Sequence, residues 1–143
     1  MIEFHRGNLF EADVEALVNT VNTVGVMGKG IALQFSRQFP EIQRPYEQAC
    51  KDGSLQVGTV QSIKLPLLSE SHGPHYVINF PTKQHWKGNS QIDFIESGLD
   101  ALKAEIAKLG IKSIAIPPHW LRTRWSIMGR SPEADFEFIE RTS

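Results

Sequence analysis

Cysteine is nearly missing: the chain has one, Cys50, in 143 residues. A single thiol excludes an internal disulfide framework and a Cys-rich zinc site, and it fits a reducing compartment. Long apolar runs are missing too. None approaches the roughly 20 residues of a membrane span, and Met1-Ile2-Glu3-Phe4 does not begin a signal peptide. Charge of one sign is not in excess, since 15 Lys+Arg stand against 16 Asp+Glu for a formal net charge of −1. That balance excludes a generally basic nucleic-acid coat but not a local basic patch. His5, His72, His75 and His119 have no metal-ligand spacing, so no metal or redox cofactor is expected. With 41% hydrophobic and 22% charged residues the composition is globular rather than disordered. The length fits one domain spanning 1–143. The expectation is a soluble, cytoplasmic protein without a membrane partner.

What is present is an alternation of strand and helix patterns. Ile2 to Arg6 alternates apolar and polar residues, and Gly7-Asn8 turns the chain. Ala16 to Val21 is β-prone and mostly apolar, like a buried strand. A loop with Gly25, Gly28 and Gly30 leads to Ile31, Ala32, Phe35 and Phe39 at helical spacing, closed by Pro40. A second short helix is expected from about Glu41 to Lys51, ended by Asp52-Gly53, with Cys50 on its buried face. Gly58 to Ile63 and Tyr76 to Phe80 are the next strands. Pro66 to Pro74 forms a loop between them, and Pro81 stops the second. The clearest helix covers about 91–109, with Ile92, Ile95, Leu99, Leu102 and Ile106 on one face and Gly110 as its cap. Ser113 to Ile116 is a last central strand before Pro117-Pro118. The order implies an α/β layered domain with a substantially parallel sheet. After Pro118 no clean period is visible, and residues 133–140 could form a helical turn or two.

Two segments carry chemistry. In the first, a buried strand runs through Val18-Asn19-Thr20-Val21-Asn22-Thr23-Val24-Gly25-Val26-Met27-Gly28-Lys29-Gly30-Ile31-Ala32 into a helix N-terminus. Such a loop lets backbone N–H groups approach a phosphate, and the helix dipole favours the anion. The spacing is neither G-x-G-x-x-G nor a P-loop, so glycines that merely serve tight turns remain the alternative. The second is Asn79-Phe80-Pro81-Thr82-Lys83-Gln84-His85-Trp86, which exposes a lysine at the carboxyl end of a strand. His85 and Trp86 with Lys87 could stack bases and hold a DNA backbone, or Trp86 could simply pack on the following helix.

Asn19 to Phe35, Arg6-Gly7-Asn8-Leu9 and Asn79-Phe80-Pro81-Thr82-Lys83 resemble macrodomains, the modules that bind ADP-ribose, and are most similar to the DNA ADP-ribosyl glycohydrolase domains of the DarG type. The resemblance covers roughly residues 1–118. It implies a mixed, mostly parallel sheet sandwiched between helices. It further implies removal of ADP-ribose from thymidine bases of single-stranded DNA, as an antitoxin to a DarT-like ADP-ribosyltransferase. By the same resemblance, Asn8 and Leu9 border the adenine, although many macrodomains have Asp where Asn8 stands. An Asn can accept from the adenine amino group through its carbonyl oxygen, or it can be a turn residue. Asn22 meets the distal ribose, or else braces its loop as an Asx turn. Thr23, Gly25, Met27 and Thr82 line the ADP-ribose, and Gly28, Lys29, Gly30, Ile31 and Ala32 wrap its diphosphate. Lys83 takes the catalytic role, either as a nucleophile forming a Schiff base with an opened ribose or as an acid and charge stabiliser. Two rival functions stay open: an ADP-ribose reader without hydrolysis, and a hydrolase acting on protein carboxylates.

The tail departs from the resemblance. Related domains carry a second glycine loop of the type Gly-Cys-Gly-x-Gly-Gly-Leu after the Pro-Pro pair. This chain has His119-Trp120-Leu121-Arg122-Thr123-Arg124-Trp125-Ser126-Ile127-Met128. One permitted codon set is CAC TGG CTG CGG ACT CGG TGG TCT ATC ATG. Without its first C, and with the next G, it reads Thr-Gly-Cys-Gly-Leu-Gly-Gly-Leu-Ser-Trp. The expectation is that a one-nucleotide frameshift produced the tail and removed the loop that closes over the ribose and diphosphate.

Overall fold

The computed structural model describes residues 2–7, 10, 13–28, 30–66, 74–83, 92–117, 119–128 and 136–141, with the side chains of 2–7, 83, 119, 122 and 136–141 left aside. The elements follow in the order β1 (Ile2–Gly7), β2 (Ala16–Asn22), α1 (Gly30–Gln38), α2 (Gln43–Asp52), β3 (Gln61–Lys64), β4 (Tyr76–Lys83), α3 (Ile92–Leu109), β5 (Ile114–Ala115), α4 (His119–Ile127) and β6 (Phe136–Arg141). One four-stranded sheet has the order β3-β4-β2-β5. Within it β2 runs parallel to both β4 and β5, and β3 is antiparallel to β4. A parallel pair, β1 with β6, lies alongside β5 through β6.

The alternation of side chains along each strand feeds two cores. Leu17 and Val21 of β2, Val77 of β4 and Ala115 of β5 face Phe35 of α1 and Tyr46 and Ala49 of α2. Ala16 and Val18 of β2, Ile78 and Phe80 of β4 and Ile114 of β5 face Ile95, Leu99, Leu102 and Ile106 of α3 and Leu121 and Trp125 of α4. The mixed sheet between helices is therefore the expected fold. Of the apolar face expected for α3, Ile92 is the exception: it stands 58% exposed in the first turn.

Register is pinned at two levels of the central strands. At their start, Glu15 accepts the backbone N–H groups of His75 (2.7 Å) and Tyr76 (3.1 Å), while its own N–H meets Ser113 Oγ at 2.9 Å. Midway, an amide chain crosses the sheet within the layer facing α2. Asn19 Nδ2 donates to Asn79 Oδ1, Asn79 Nδ2 to Gln61 Oε1, and Gln61 Nε2 to the Pro45 carbonyl, each at 3.0 Å. Asn19 and Asn79 are fully buried. A slip of one residue would move every side chain to the opposite face and break this chain.

Four sequence expectations are corrected. β4 does not stop at Pro81 but continues to Lys83. β3 accompanies β4 only as far as the Gln61–Asn79 pair, so Pro81 has a strand neighbour on one side only, where a missing N–H is tolerated. The stretch after Pro118 is a helix, α4, because Leu121, Trp125 and Met128 recur at helical spacing and pack on the core containing α3. Residues 136–141 are strand rather than helix, satisfied by pairing with β1. The strand expected from Gly58 begins at Gln61. Most of the loop expected from Pro66 to Pro74 lies outside the described residues.

Gly98 of α3 lies against the Phe80 ring. A Cβ there would sit 2.6 Å from Phe80 Cζ, and Phe80 is fully buried with little room to swing. Gly98→Ala should therefore destabilise the fold by about 1–3 kcal/mol through overpacking, even though alanine is intrinsically the better helix former by about 1 kcal/mol. A urea-unfolding midpoint lowered by the substitution is the expected reading. An unchanged or raised midpoint would contradict the close contact.

Candidate functional site

Parallel strands deliver their carboxyl ends to one edge of the sheet. There the chain leaves β2 for α1, in the layer of the first core, and leaves β4 for α3, in the layer of the second. Adjacent strands whose connections depart to opposite faces open a crevice between them, the usual place for a ligand in a parallel sheet.

Two residues become backbone neighbours at this edge because of an irregularity. Pairing of β2 with β4 runs in step from Ala16–Tyr76 to Val21–Pro81, then skips to Asn22–Lys83. Thr82 is the extra residue of a bulge, and its side chain is buried. Without the bulge Asn22 would oppose Thr82. With it, the backbone of Lys83 lies beside that of Asn22, about 5 Å away as for any strand neighbour.

The Asn22 side chain organises the loop that follows. Its Oδ1 accepts the N–H groups of Val24 (3.0 Å) and Gly25 (3.2 Å), with Val26 N–H at 3.5 Å, and its Nδ2 donates to the Val26 carbonyl at 2.8 Å. Gly25 holds φ at 97°, a left-handed value that costs a residue with a side chain. Beneath this turn lies α2: Tyr46 is fully buried, and Cys50 is partly buried with its Sγ 4.0 Å from the Asn22 carbonyl. Burial pushes the Tyr46 phenol and the Cys50 thiol above their ordinary pKa values. Both therefore stay protonated and neutral beneath the loop. The loop then passes exposed Gly28 to the first turn of α1 at Gly30, where unpaired helix N–H groups favour an anion.

Of the residues expected at the site, Asn22, Thr23, Gly25, Gly28, Gly30, Ile31, Ala32, Thr82 and Lys83 gather along this edge. Met27 is in the loop, but its side chain is 5% exposed and belongs to the core with Phe35. Ile31 and Ala32 also pack against that core, leaving their backbone as the part available to a ligand. Asn8, Leu9, Lys29, His85 and Trp86 lie outside the described residues, as does the side chain of Lys83. Where the resemblance implies a second glycine loop, α4 begins at His119. Sequence reasoning missed Tyr46, Asn19 and Asn79. The two asparagines did leave a signal, as polar interruptions in otherwise apolar strands. Among the described residues no three His, Cys, Asp or Glu side chains converge as metal ligands, and no helix is long and apolar enough to cross a membrane.

The Macro domain family profile matches residues 18–119. The chain is 51% identical over 118 residues to a DNA ADP-ribosyl glycohydrolase of Thermus aquaticus, a match covering 82% of this chain and 32% of that protein. It thus spans about a third of that relative's length. Among solved structures it is similar to the macrodomain of Thermus aquaticus DarG, with a TM-score of 0.86 and 42% identity, covering 98% of this chain and 97% of that one. It is also similar to Thermosipho africanus DarTG in complex with ADP-ribose, with a TM-score of 0.77 and 32% identity, covering 96% of this chain and 41% of that one.

Proposed function

Because the chain belongs to the macrodomain family, we propose that it removes ADP-ribose from thymidine bases of single-stranded DNA, in the cytoplasm, as the antidote to a DarT-like DNA ADP-ribosyltransferase. The observation that carries this reading is the bulge that sets Lys83 beside Asn22 at the mouth of the glycine loop. The glycohydrolase relative and the ADP-ribose complex support the same ligand.

In this reading the loop from Gly25 to Ala32 and the first turn of α1 hold the diphosphate with backbone N–H groups. Asn8 and Leu9 border the adenine, and Asn22 meets the distal ribose. The Lys83 amine works on the bond between the ribose anomeric carbon and the base nitrogen. As a nucleophile it adds to that carbon of the opened ribose. The base leaves with a proton on its nitrogen, and water then hydrolyses the Schiff base, returning the amine and free ADP-ribose. As an acid and charge stabiliser it donates a proton to the departing base while water adds to the same carbon. His85 and Trp86 receive the DNA strand next to the scissile bond.

Incubation with an ADP-ribosylated thymidine oligonucleotide should release ADP-ribose and unmodified DNA. Turnover of ADP-ribosylated protein carboxylates alone would move the assignment to the protein-hydrolase class. A second reading, an ADP-ribose reader without hydrolysis, is favoured by one observation: α4 occupies the stretch where a second glycine loop would stand. Titration calorimetry with ADP-ribose beside the turnover assay separates the two. Restoring the frame after Pro118 should raise turnover about tenfold or more, because glycine N–H donors act on charge in ways a helix carrying Trp120 and Leu121 does not. Equal turnover by the two proteins would make the second loop dispensable.

A further inference from the structure

Tyr46 is a fully buried phenol that no step above uses. Its hydroxyl lies 2.8 Å from Asn22 Oδ1 and 2.9 Å from the Asn22 carbonyl. Oδ1 is thus surrounded by donors, the Tyr46 O–H and the N–H groups of Val24 and Gly25. The amide nitrogen faces an acceptor, the Val26 carbonyl. Turning the amide over would set its NH2 against those donors and its oxygen against a carbonyl, so only one orientation is compatible with the surroundings. Nδ2 has two hydrogens. One is spent on Val26, and the other has no partner among the described residues, on a side chain that is partly exposed at the crevice.

We propose that Tyr46 is a positioning residue for the site: its hydroxyl fixes the Asn22 amide so that one N–H stands as a rigid donor beside Lys83 and recognises a sugar oxygen. The ligand atom at this point must be an acceptor, which a ribose hydroxyl or ring oxygen satisfies and an N–H does not. The phenol is held in its neutral, donating form by burial, so the arrangement persists across the pH range in which the protein is folded. The proposal deepens the ADP-ribose reading and rests on it.

Tyr46→Phe removes the hydroxyl and keeps the packed ring. Four measurements follow, with Asn22→Ala as reference. In the ligand-free parent the Asn22 side-chain NH2 should give two resolved resonances in slow exchange with water, and Tyr46→Phe should speed that exchange about tenfold. Affinity for ADP-ribose should fall about five- to tenfold in Tyr46→Phe, as for one lost buried hydrogen bond. Affinity for ADP, which lacks the distal ribose, should change less than twofold. In the Asn22→Ala background Tyr46→Phe should add less than twofold, because the group it positions is already gone. Equal weakening of ADP and ADP-ribose, or additive effects of the two substitutions, would make Tyr46 a general prop for the loop and overturn the proposal. So would a parent amide that exchanges like a free asparagine. If the parent binds no ADP-ribose, the functional reading and the sugar contact fall together. The exchange measurement still decides by itself whether Tyr46 holds the amide.

Discussion

Lys83→Ala should lower turnover of ADP-ribosylated DNA by about a hundredfold to a thousandfold or more, the usual consequence of losing a nucleophile or a group that stabilises developing charge. Binding of free ADP-ribose should stay within a few fold of the parent. The separation follows from the architecture. The loop and helix N-terminus proposed to hold the diphosphate come from the β2–α1 connection, whereas Lys83 ends β4. A solvated surface lysine would cost almost nothing on removal, so parental turnover in the variant would remove Lys83 from the chemistry. If the parent itself shows no turnover, the comparison belongs in the frame-restored protein, where the second glycine loop is present.

The second large effect concerns the tail. Trp125→Ala should cost about 3–5 kcal/mol of stability, as for a large aromatic truncated in a packed core. Trp125 is 1% exposed and Leu121 fully buried, both packed with Leu99 and Ile95 of α3. Trp120, 45% exposed on the same helix, is the internal control, and Trp120→Ala should stay within about 0.5 kcal/mol of the parent. Urea unfolding of both variants reads the difference. Equal, small effects would mean that α4 is attached loosely and that the core is complete without it. The ion pair between Arg124 and Glu96 at 3.9 Å joins the same two helices, but as a partly exposed pair it contributes little.

The tail lies beyond residues 1–118, which carry the family resemblance. If a frameshift created it, the new reading frame happened to supply Leu121, Trp125 and Met128 at a spacing that one helix can bury. The structural likeness to the DarG macrodomain extends over 98% of the chain, while the sequence match to the glycohydrolase relative covers 82%. Stability and activity are separate quantities here, so the Trp125 and frame-restoration experiments address different properties of one segment.

Much of the protein is legible in its residue pattern alone. The apolar run of β2, the glycines and the helical spacing after Gly30 marked a strand, loop and helix that recur as expected. The α3 face was read at Ile95, Leu99, Leu102 and Ile106, while Ile92 fell on solvent because it sits in the first turn, ahead of the strand contacts. The helical stripe of the tail was also present, but exposed Trp120 and Ile127 obscured it: apolar residues on both faces hide the period that burial alone distinguishes. Asn22 and Lys83 are singled out by the family resemblance, not by residue spacing.

That Asn22 and Lys83 stand side by side was decided only in three dimensions. Their positions in the chain differ by 61 residues, and a bulge of one residue, Thr82, makes the difference between Lys83 and a buried threonine opposite Asn22. Tyr46 reaches Asn22 from 24 residues away, and Asn19 meets Asn79 across 60. Local pattern reports which face of an element is apolar, because burial repeats with the element's own period. It carries no record of which polar groups complete one another across strands, since that depends on register and on the distance between chains brought together by the two cores. The residue pattern is enough for the strands and helices up to β5, whereas the packing of the tail and the meeting of polar groups from distant segments depend on the tertiary structure.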